Sequence, residues 1–590
     1  MSSSKTIIMA AFLVMAGALI FNTLGERSFW SDDGDEVRHA LAGRMLAYGH
    51  GEAEVFGADF SDGVYPLGPA AIALVYSLAG ESDELLARIP STFFALGALY
   101  IVYRTGAILF GPMAGLFAFG VLSTSALFSF SARSCAPDMA ICFFLSISLL
   151  SLARMTDDSN SSGAPDLSGE QGRPMRAVPY WISLGLAFYA GGPAPVVISL
   201  AGAWTAARSG AFGKDGSRRI FNLFGAALLT VMAAPWIIFS IVTDGVGLVE
   251  SSAGVVDGLG EFVAQGLLFI PWIFIAPAAL RCLWEENDQP GRMLPAYLTG
   301  GATAAAALSV FGQVHMLALH AVMALMVGGY IQLRQPLAGK DAEEDIWEAP
   351  FISHLIIIFP LFVFLFFTLL ASLYSPNVSG NNYASFGGGI PDALISFAAL
   401  LPVPSVMAAF AFLSAIYVSF KAMEMFAKSG ETWWMWTATV VASFSFLVYT
   451  NHVLAPKMNR SFSHKVFFSQ ISQFMEEGKR LFYYGVENPQ ARFYLASDQI
   501  PGFIDEEKIP ALLDELARSK EMVYFLTDGG RKASLEKFLA DFRIKSMVYR
   551  DSYFVPPSRG MERGRLYLFA SAPPPERVET LDVNNIVNKK

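Results

Sequence analysis

The chain has 590 residues, a net charge of −10, 54% hydrophobic residues and 49 phenylalanines. Apolar runs this long and this frequent exclude a soluble globular chain. The negative balance argues against a nucleic-acid partner. The three cysteines, Cys135, Cys142 and Cys282, sit in or beside apolar runs and carry no redox signal, and no zinc spacing, phosphate loop or dinucleotide fingerprint is present.

Residues 7–24 form the first apolar span, with Lys5 on its N-terminal side. The positive-inside rule then places the N-terminus in the cytoplasm and the following loop, 26–65, outside. That loop opens with Trp30-Ser31-Asp32-Asp33-Gly34-Asp35-Glu36-Val37-Arg38-His39, four carboxylates within five residues. An amphipathic stretch, Val37 to Leu46, follows and ends at Gly49-His50-Gly51. Segment 66–80 is short for a crossing of about 20 residues. Reading it as re-entrant keeps Arg104 and the Arg-rich loop 154–177 inside, and puts Asp138 on the same face as Asp35.

Further spans are expected at 90–109, 112–131, 136–153, 178–191 and 193–208, the last two joined by a Gly191-Gly192-Pro193 turn. Others are expected at 220–242, 264–280, 294–311, 316–333, 351–374, 391–420 and 433–450, with an acidic external loop at 243–262. This makes about thirteen crossings. Beyond Asn451 charge rises and apolar runs shorten. Strands at 480–486, 522–526, 545–549 and 565–569 alternate with helices at 489–496, 510–518 and 534–542, a small α/β pattern. The expected fold is mainly α: a polytopic membrane helix bundle over 1–450 plus an extracytoplasmic α/β domain over 451–590.

The acid loop and the later Ala132-Arg133-Ser134-Cys135-Ala136-Pro137-Asp138-Met139, read in order, resemble the polytopic lipid-dependent glycosyltransferases of the GT-C superfamily. The lipid A aminoarabinose transferases and the protein O-mannosyltransferases are the nearest groups. Asp35-Glu36 match the Asp-Glu pair that opens a juxtamembrane helix in those proteins, and Arg38 follows it. Arg133 and Asp138-Met139 match a later Arg…Asp-Met. Weaker matches are Arg88-Ile89-Pro90-Ser91, Gly185-Leu186-Ala187 with Gly192-Pro193, Pro235-Trp236 and Pro271-Trp272, and a looser echo runs from Ser463 to Leu495.

The resemblance implies a GT-C fold in the plasma (inner) membrane. It implies transfer of a sugar from a polyprenyl-phosphate donor to a lipid, glycan or protein acceptor on the extracytoplasmic face. Asp35 is then the base that takes the acceptor proton. Glu36 orients the acceptor or Asp35, or only complements a helix N-terminus. Arg133 clamps the donor phosphate, or snorkels to the interface. Arg38 assists it, or is solvated. Asp138 orients Arg133, helps hold a divalent cation, or caps a helix. Asp32 and Asp33 extend the acid or metal site, or are loop charges. No cofactor is fixed by the sequence, and a divalent cation is the one candidate.

The chain departs from the aminoarabinose transferases at several cations. A Glu-Lys before the proline becomes Val64-Tyr65, a Thr-Lys-Gly turn becomes Ala190-Gly191-Gly192, and a later Lys and Tyr-Leu-Leu-Pro stretch becomes Gln313, His315 and His320. These departures leave a second reading open, a non-catalytic protein that binds or transports lipid-linked sugars on the same fold.

Overall fold

Apolar composition alone does not say where a helix stops, and the stops position the functional groups here. The computed structural model describes residues 3–21, 24–25, 28–29, 34–48, 64–160, 177–212, 218, 220–244, 255–286, 289–311, 315–333, 421, 433–449, 451, 463–465, 467–469, 471, 480–484, 489–495, 502–504, 523–528, 531–541, 547–551 and 566–570. Elements are numbered among those residues.

Helix α1 is Ser3–Phe21 and α2 is Gly34–Tyr48, with Asp35 and Glu36 in its first turn, where the helix dipole favours negative charge. Helix α3, Leu67–Ala79, stops at Gly80, whose φ of 76° is a left-handed value that glycine adopts at little cost. Its 13 residues span about 20 Å, too short to cross a membrane alone. Helix α4, Glu84–Phe110, is N-capped by Asp83, whose side chain accepts from the Leu86 amide at 2.7 Å. Then come α5 (Pro112–Ser123), α6 (Ala126–Ser131), α7 (Asp138–Asn160), α8 (Val178–Gly191), α9 (Pro193–Arg208) and α10 (Leu223–Asp244). They are followed by α11 (Val255–Leu267), a short turn at Trp272–Phe274, α12 (Ala276–Glu285), α13 (Gln289–Ser309), α14 (Leu317–Leu333) and α15 (Trp433–Tyr449). Among the described residues, α4 and the stretch 138–156 are long and apolar enough to cross a membrane. The pair 258–267 and 272–285, bent by 94°, makes a third candidate.

Two expected spans are broken. The run 112–131 divides at Thr124-Ser125 into α5 and α6, and the run 264–280 divides between α11 and α12. The two breaks complete each other. A helix start leaves amides without partners, and the Ala126 and Leu127 N–H groups donate to the Ile270 and Leu268 carbonyls, both at 3.1 Å. The Trp272 indole N–H donates to Thr124 Oγ1 at 3.0 Å across the same junction. Pro271 and Pro277 lack the amides that a continuous helix needs. Irregular backbone at membrane depth is tolerated where protein buries it. The expected loop 243–262 likewise gives way to helix from Val255. Segments 351–374, 391–420 and 510–518 lie outside the described residues.

Inside the helical part small residues let backbones approach. A Cβ on Gly106 would lie 2.8 Å from Gly115 Cα, so α4 and α5 touch through glycine. Buried hydroxyls bond their own helix or each other. Ser146 donates to the Cys142 carbonyl at 2.7 Å, and Tyr297 Oη to Ser199 Oγ at 3.0 Å.

The chain divides into two compact units, one of residues 1–27, 38–390 and 394–456, the other of 28–37, 391–393 and 457–590. The second holds a five-stranded sheet made of β1 (Arg480–Tyr484), β2 (Gly502–Ile504), β3 (Val523–Asp528), β4 (Met547–Asp551) and β5 (Leu566–Ala570), in the order β2-β1-β3-β5-β4. β1 runs parallel to β2 and β3, and β5 is antiparallel to β3 and β4. Helix α16 (Pro489–Tyr494) follows β1, and α17 (Lys532–Asp541) follows β3. Alternate residues face opposite sides. Tyr483, Tyr524, Leu526 and Leu568 pack with Phe468, Ile471 and Leu495, while Tyr484, Phe525 and Phe569 pack with Leu535 and Leu539. Strand β2 was not expected, because three residues opening on glycine show no alternation to read.

Candidate functional site

The helical unit buries several polar groups along α4 and around Arg133. On α4, Glu84, Arg88, Ser91 and Thr92 are buried with Ala95, a polar stripe at helical spacing on the buried face. Arg88 is 0% exposed, and its Nη1 donates to the Leu24 carbonyl at 3.1 Å. One turn on, the Thr92 hydroxyl lies 3.1 Å from the Arg88 carbonyl and 3.5 Å from that of Ala132. The backbones that carry Arg88 and Arg133 therefore meet at Thr92.

Arg133 follows the short α6. Its N–H closes the helix end on the Phe130 carbonyl at 3.1 Å, and its side chain is 3% exposed. Ser134 Oγ accepts from the Ala136 amide at 3.2 Å, and Pro137 then leads into α7 with Asp138 as its first residue. Asp138 stays half-buried, and His315 Nδ1 lies 3.4 Å from its Oδ1. The His315 segment is itself held from α11. The Met316 amide donates to Gln265 Oε1 at 3.4 Å, and His320 Nε2 lies 3.1 Å from the Gln265 carbonyl.

Helix α2 approaches the same region through α3. Gly43 faces Ile72, where a Cβ would come within 2.6 Å of its Cγ2, and His39 lies against Gly68. Tyr48 Oη donates to the Tyr76 carbonyl at 3.1 Å, and Tyr76 Oη to that of Asp83 at 3.2 Å. Arg44 and Arg88 are both electrostatic neighbours of Tyr76. Burial lowers the Arg44 guanidinium from its ordinary value, and Tyr76 and Tyr48 oppose that.

The substitutions at Val64-Tyr65 and Ala190-Gly191-Gly192 turn out to be one feature. Gly192 has φ 70° in the turn between α8 and α9, and any Cβ there would overlap the Tyr65 ring. Tyr65 also meets Phe188 and Trp236, with centroids 6.4 and 6.5 Å away, and burial raises its phenol pKa. An aromatic ring fills this place, and glycine makes room for it.

The predicted site residues are distributed as follows. Arg133 follows α6 and Asp138 opens α7, Asp138 pairs with His315, and Thr92 lies near the carbonyls of Arg88 and Ala132. Arg38 is half-buried and is the first residue of α2 in the helical unit. Glu36 is 1% exposed and belongs with Asp35 to the other unit. Asp35 lies in α2, but its side chain is outside the described residues, as are Asp32 and Asp33. Among the described residues no group of three His, Cys, Asp or Glu side chains could hold a metal ion. Arg88 was only a weaker match in the sequence, and the structure buries it completely. The available signal was Glu84, Arg88 and Thr92 at successive four-residue steps in an apolar helix.

Residues 64–164 match the sequence profile of the dolichyl-phosphate-mannose-protein mannosyltransferase family. No curated protein sequence matches the chain. The crystal structure of apo ArnT from Cupriavidus metallidurans superposes with a TM-score of 0.65 at 16% identity, covering 97% of this chain and 99% of that one. The same protein bound to undecaprenyl phosphate superposes with a TM-score of 0.64 at 16% identity, covering 95% and 98%. The chain has the fold of the GT-C glycosyltransferase superfamily.

Proposed function

We propose that this chain is an integral-membrane glycosyltransferase. It moves a sugar from a polyprenyl-phosphate donor to a lipid, glycan or protein acceptor on the extracytoplasmic face of the plasma (inner) membrane. The observation that carries the reading is the burial of Arg88 and Arg133 on backbones joined at Thr92, within a GT-C fold. Burying guanidinium groups costs several kcal/mol each unless partners or a ligand offset it. Two of them on adjoining backbones suit an anionic ligand in addition to the contacts that each already makes.

Asp35 takes the proton of the acceptor hydroxyl, and that oxygen bonds to the anomeric carbon of the sugar. The bond from that carbon to the phosphate oxygen breaks, and its electron pair leaves with the polyprenyl phosphate. Arg133 meets that charge with its planar fork, and Arg38 and Arg88 add to the positive field. Glu36 orients the acceptor or Asp35, and Asp138 orients Arg133.

Tyr65 over Gly192 favours a second reading. The place where the resembling transferases carry lysines is occupied by an aromatic ring, as suits a protein that binds or moves lipid-linked sugars without transfer. Purified protein in lipid, given labelled polyprenyl-phosphate sugars and a membrane extract, separates the two. Transfer of label supports the enzyme. Retention of labelled donor without transfer supports the binding protein. Absence of both transfer and retention would sink both readings. The sidedness has its own check: cysteines at 60, 255 and 500 should label from outside and one at 165 should not.

A further inference from the structure

Phe29 lies three residues before Asp32 and is 0% exposed. Its partners come from more than 460 positions later. Its amide donates to Tyr494 Oη at 3.2 Å, and its carbonyl accepts from Gln490 Nε2 at 3.3 Å. Its ring stands edge-on to Phe493 with centroids 4.8 Å apart, and tilted to Tyr494 at 6.3 Å. The Gln490 amide is used at both ends, since its Oε1 accepts from the His464 amide at 3.1 Å. Tyr494 is backed by Phe468, stacked at 6.3 Å. Both backbone polar groups of Phe29 are thus bound by side chains of α16, and its ring is enclosed by the same helix. A residue held in this way can neither slide nor rotate without losing two hydrogen bonds, one buried and one part-buried.

All of these residues belong to the second unit, which also includes 28–37. They explain a stretch that the proposed chemistry leaves unused, the echo from Ser463 to Leu495. Asp35 is six residues from Phe29, no more than about 20 Å of chain. On its other side α2 runs on to His39 and Gly43, which pack on Gly68 and Ile72.

We propose that Gln490 and Tyr494 clasp Phe29 to fix the start of the acid loop, so that the sheet-bearing unit positions Asp35 for transfer. This rests on the glycosyltransferase reading for its effect on rate, but not for the clasp itself. Gln490, Tyr494 and Phe29 are positioning residues and touch no reacting atom.

The test uses full-length protein in lipid, with amide hydrogen exchange, donor binding and single-turnover transfer measured on each variant. Tyr494→Phe keeps the ring and removes one acceptor. It should speed exchange at Phe29 and residues 34–37 and slow transfer about five-fold, the worth of one hydrogen bond. Phe29→Ala should speed exchange further and slow transfer about 100-fold, the scale of an ångström-sized misplacement. Donor affinity should stay at the wild-type value in both, and Phe29→Leu, which keeps an apolar anchor, should recover most of the rate. Unchanged exchange in a folded Phe29→Ala, or in Tyr494→Phe if Phe29→Ala does not fold, overturns the clasp. Faster exchange with an unchanged transfer rate overturns the positioning role. Absence of transfer by the wild type overturns the glycosyltransferase reading and the rate effect with it, while the exchange data still decide the clasp.

Discussion

In the helical unit the buried polar side chains include Glu84, Arg88, Arg133, His39 and His320. In the described part of 457–590 they are His464, Gln490 and Thr527. The first set contains guanidinium groups and a carboxylate, the second an imidazole, an amide and a hydroxyl, and the buried carboxylate Glu36 also belongs to the second unit. The partners differ in the same sense. Hydroxyls of the helical unit close mostly on carbonyls of their own helix, as Thr105 does on Ile101 at 2.8 Å and Thr439 on Met435 at 3.0 Å. They satisfy themselves and leave the geometry of neighbours alone. Gln490 instead bridges two segments remote in sequence. A buried charge is a costly way to hold a fold together, whereas a neutral amide is a cheap way to fix a backbone. The helical unit thus buries guanidinium groups, whereas in the sheet-bearing unit the Gln490 amide fixes two stretches of backbone.

The sharpest break of that division is at the proton acceptor. Asp35→Asn preserves size and removes basicity, so turnover should fall by roughly 10²–10⁴-fold, the usual worth of a general base. Donor binding should survive, because the phosphate is assigned to arginine. Transfer at the wild-type rate would move the base to Asp32, Asp33 or Glu36.

Next in size is the phosphate grip. Arg133→Lys keeps the charge but replaces a planar fork with a point charge. Losing one hydrogen bond to a charged group costs about 1.5–3 kcal/mol, or roughly 10–150-fold in donor dissociation constant. Binding of labelled polyprenyl phosphate reads this directly. Wild-type affinity would shift the grip to Arg88, buried on the adjoining backbone.

The helices were legible in the sequence where composition and turn residues agree. α8 and α9 meet at Gly192 as the Gly191-Gly192-Pro193 signal implied, and α14 and α15 match their runs closely. The breaks at Thr124-Ser125 and Leu268–Pro271 were not legible, because each is stabilised by amides and carbonyls from the other. Hydropathy along one strand of sequence cannot register that exchange. The motifs singled out Arg133 and Asp138, five positions apart on the stretch that runs from α6 into α7. They could not show that Tyr65 and Gly192 compensate for each other, or that His315 meets Asp138, since both pairings cross more than 120 positions. The Phe29 clasp was hidden for the same reason, although the Ser463–Leu495 echo marked the right stretch.

The comparison also depends on the helical unit being held by packing and not by its charges. Gly115 tests this away from the site, because its Cβ position is already filled by the Tyr103 carbonyl. Gly115→Ile forces α4 and α5 apart, and overpacking of this kind costs about 1–3 kcal/mol. Thermal unfolding in lipid should show a lower midpoint, with donor affinity per folded molecule unchanged. A wild-type midpoint would mean that the two helices do not need this contact.

The smallest effect should come from His315, and it probes the boundary between the two uses of polarity. The Nδ1–Oδ1 separation of 3.4 Å is long for a hydrogen bond, and the Asp138 side chain retains 35% of its exposure. Solvent screens a pair of this kind, so its net worth is about 0.2–1 kcal/mol. His315→Ala should therefore leave the melting midpoint nearly unchanged and slow transfer by no more than about five-fold. His315→Asn, which retains a side-chain donor, should recover part of that rate. A fall of 100-fold or more in His315→Ala, with donor binding intact, would show that the imidazole takes part in the reaction itself. Asp138 would then have to be treated as one half of a histidine–carboxylate pair and no longer as a support for Arg133 alone.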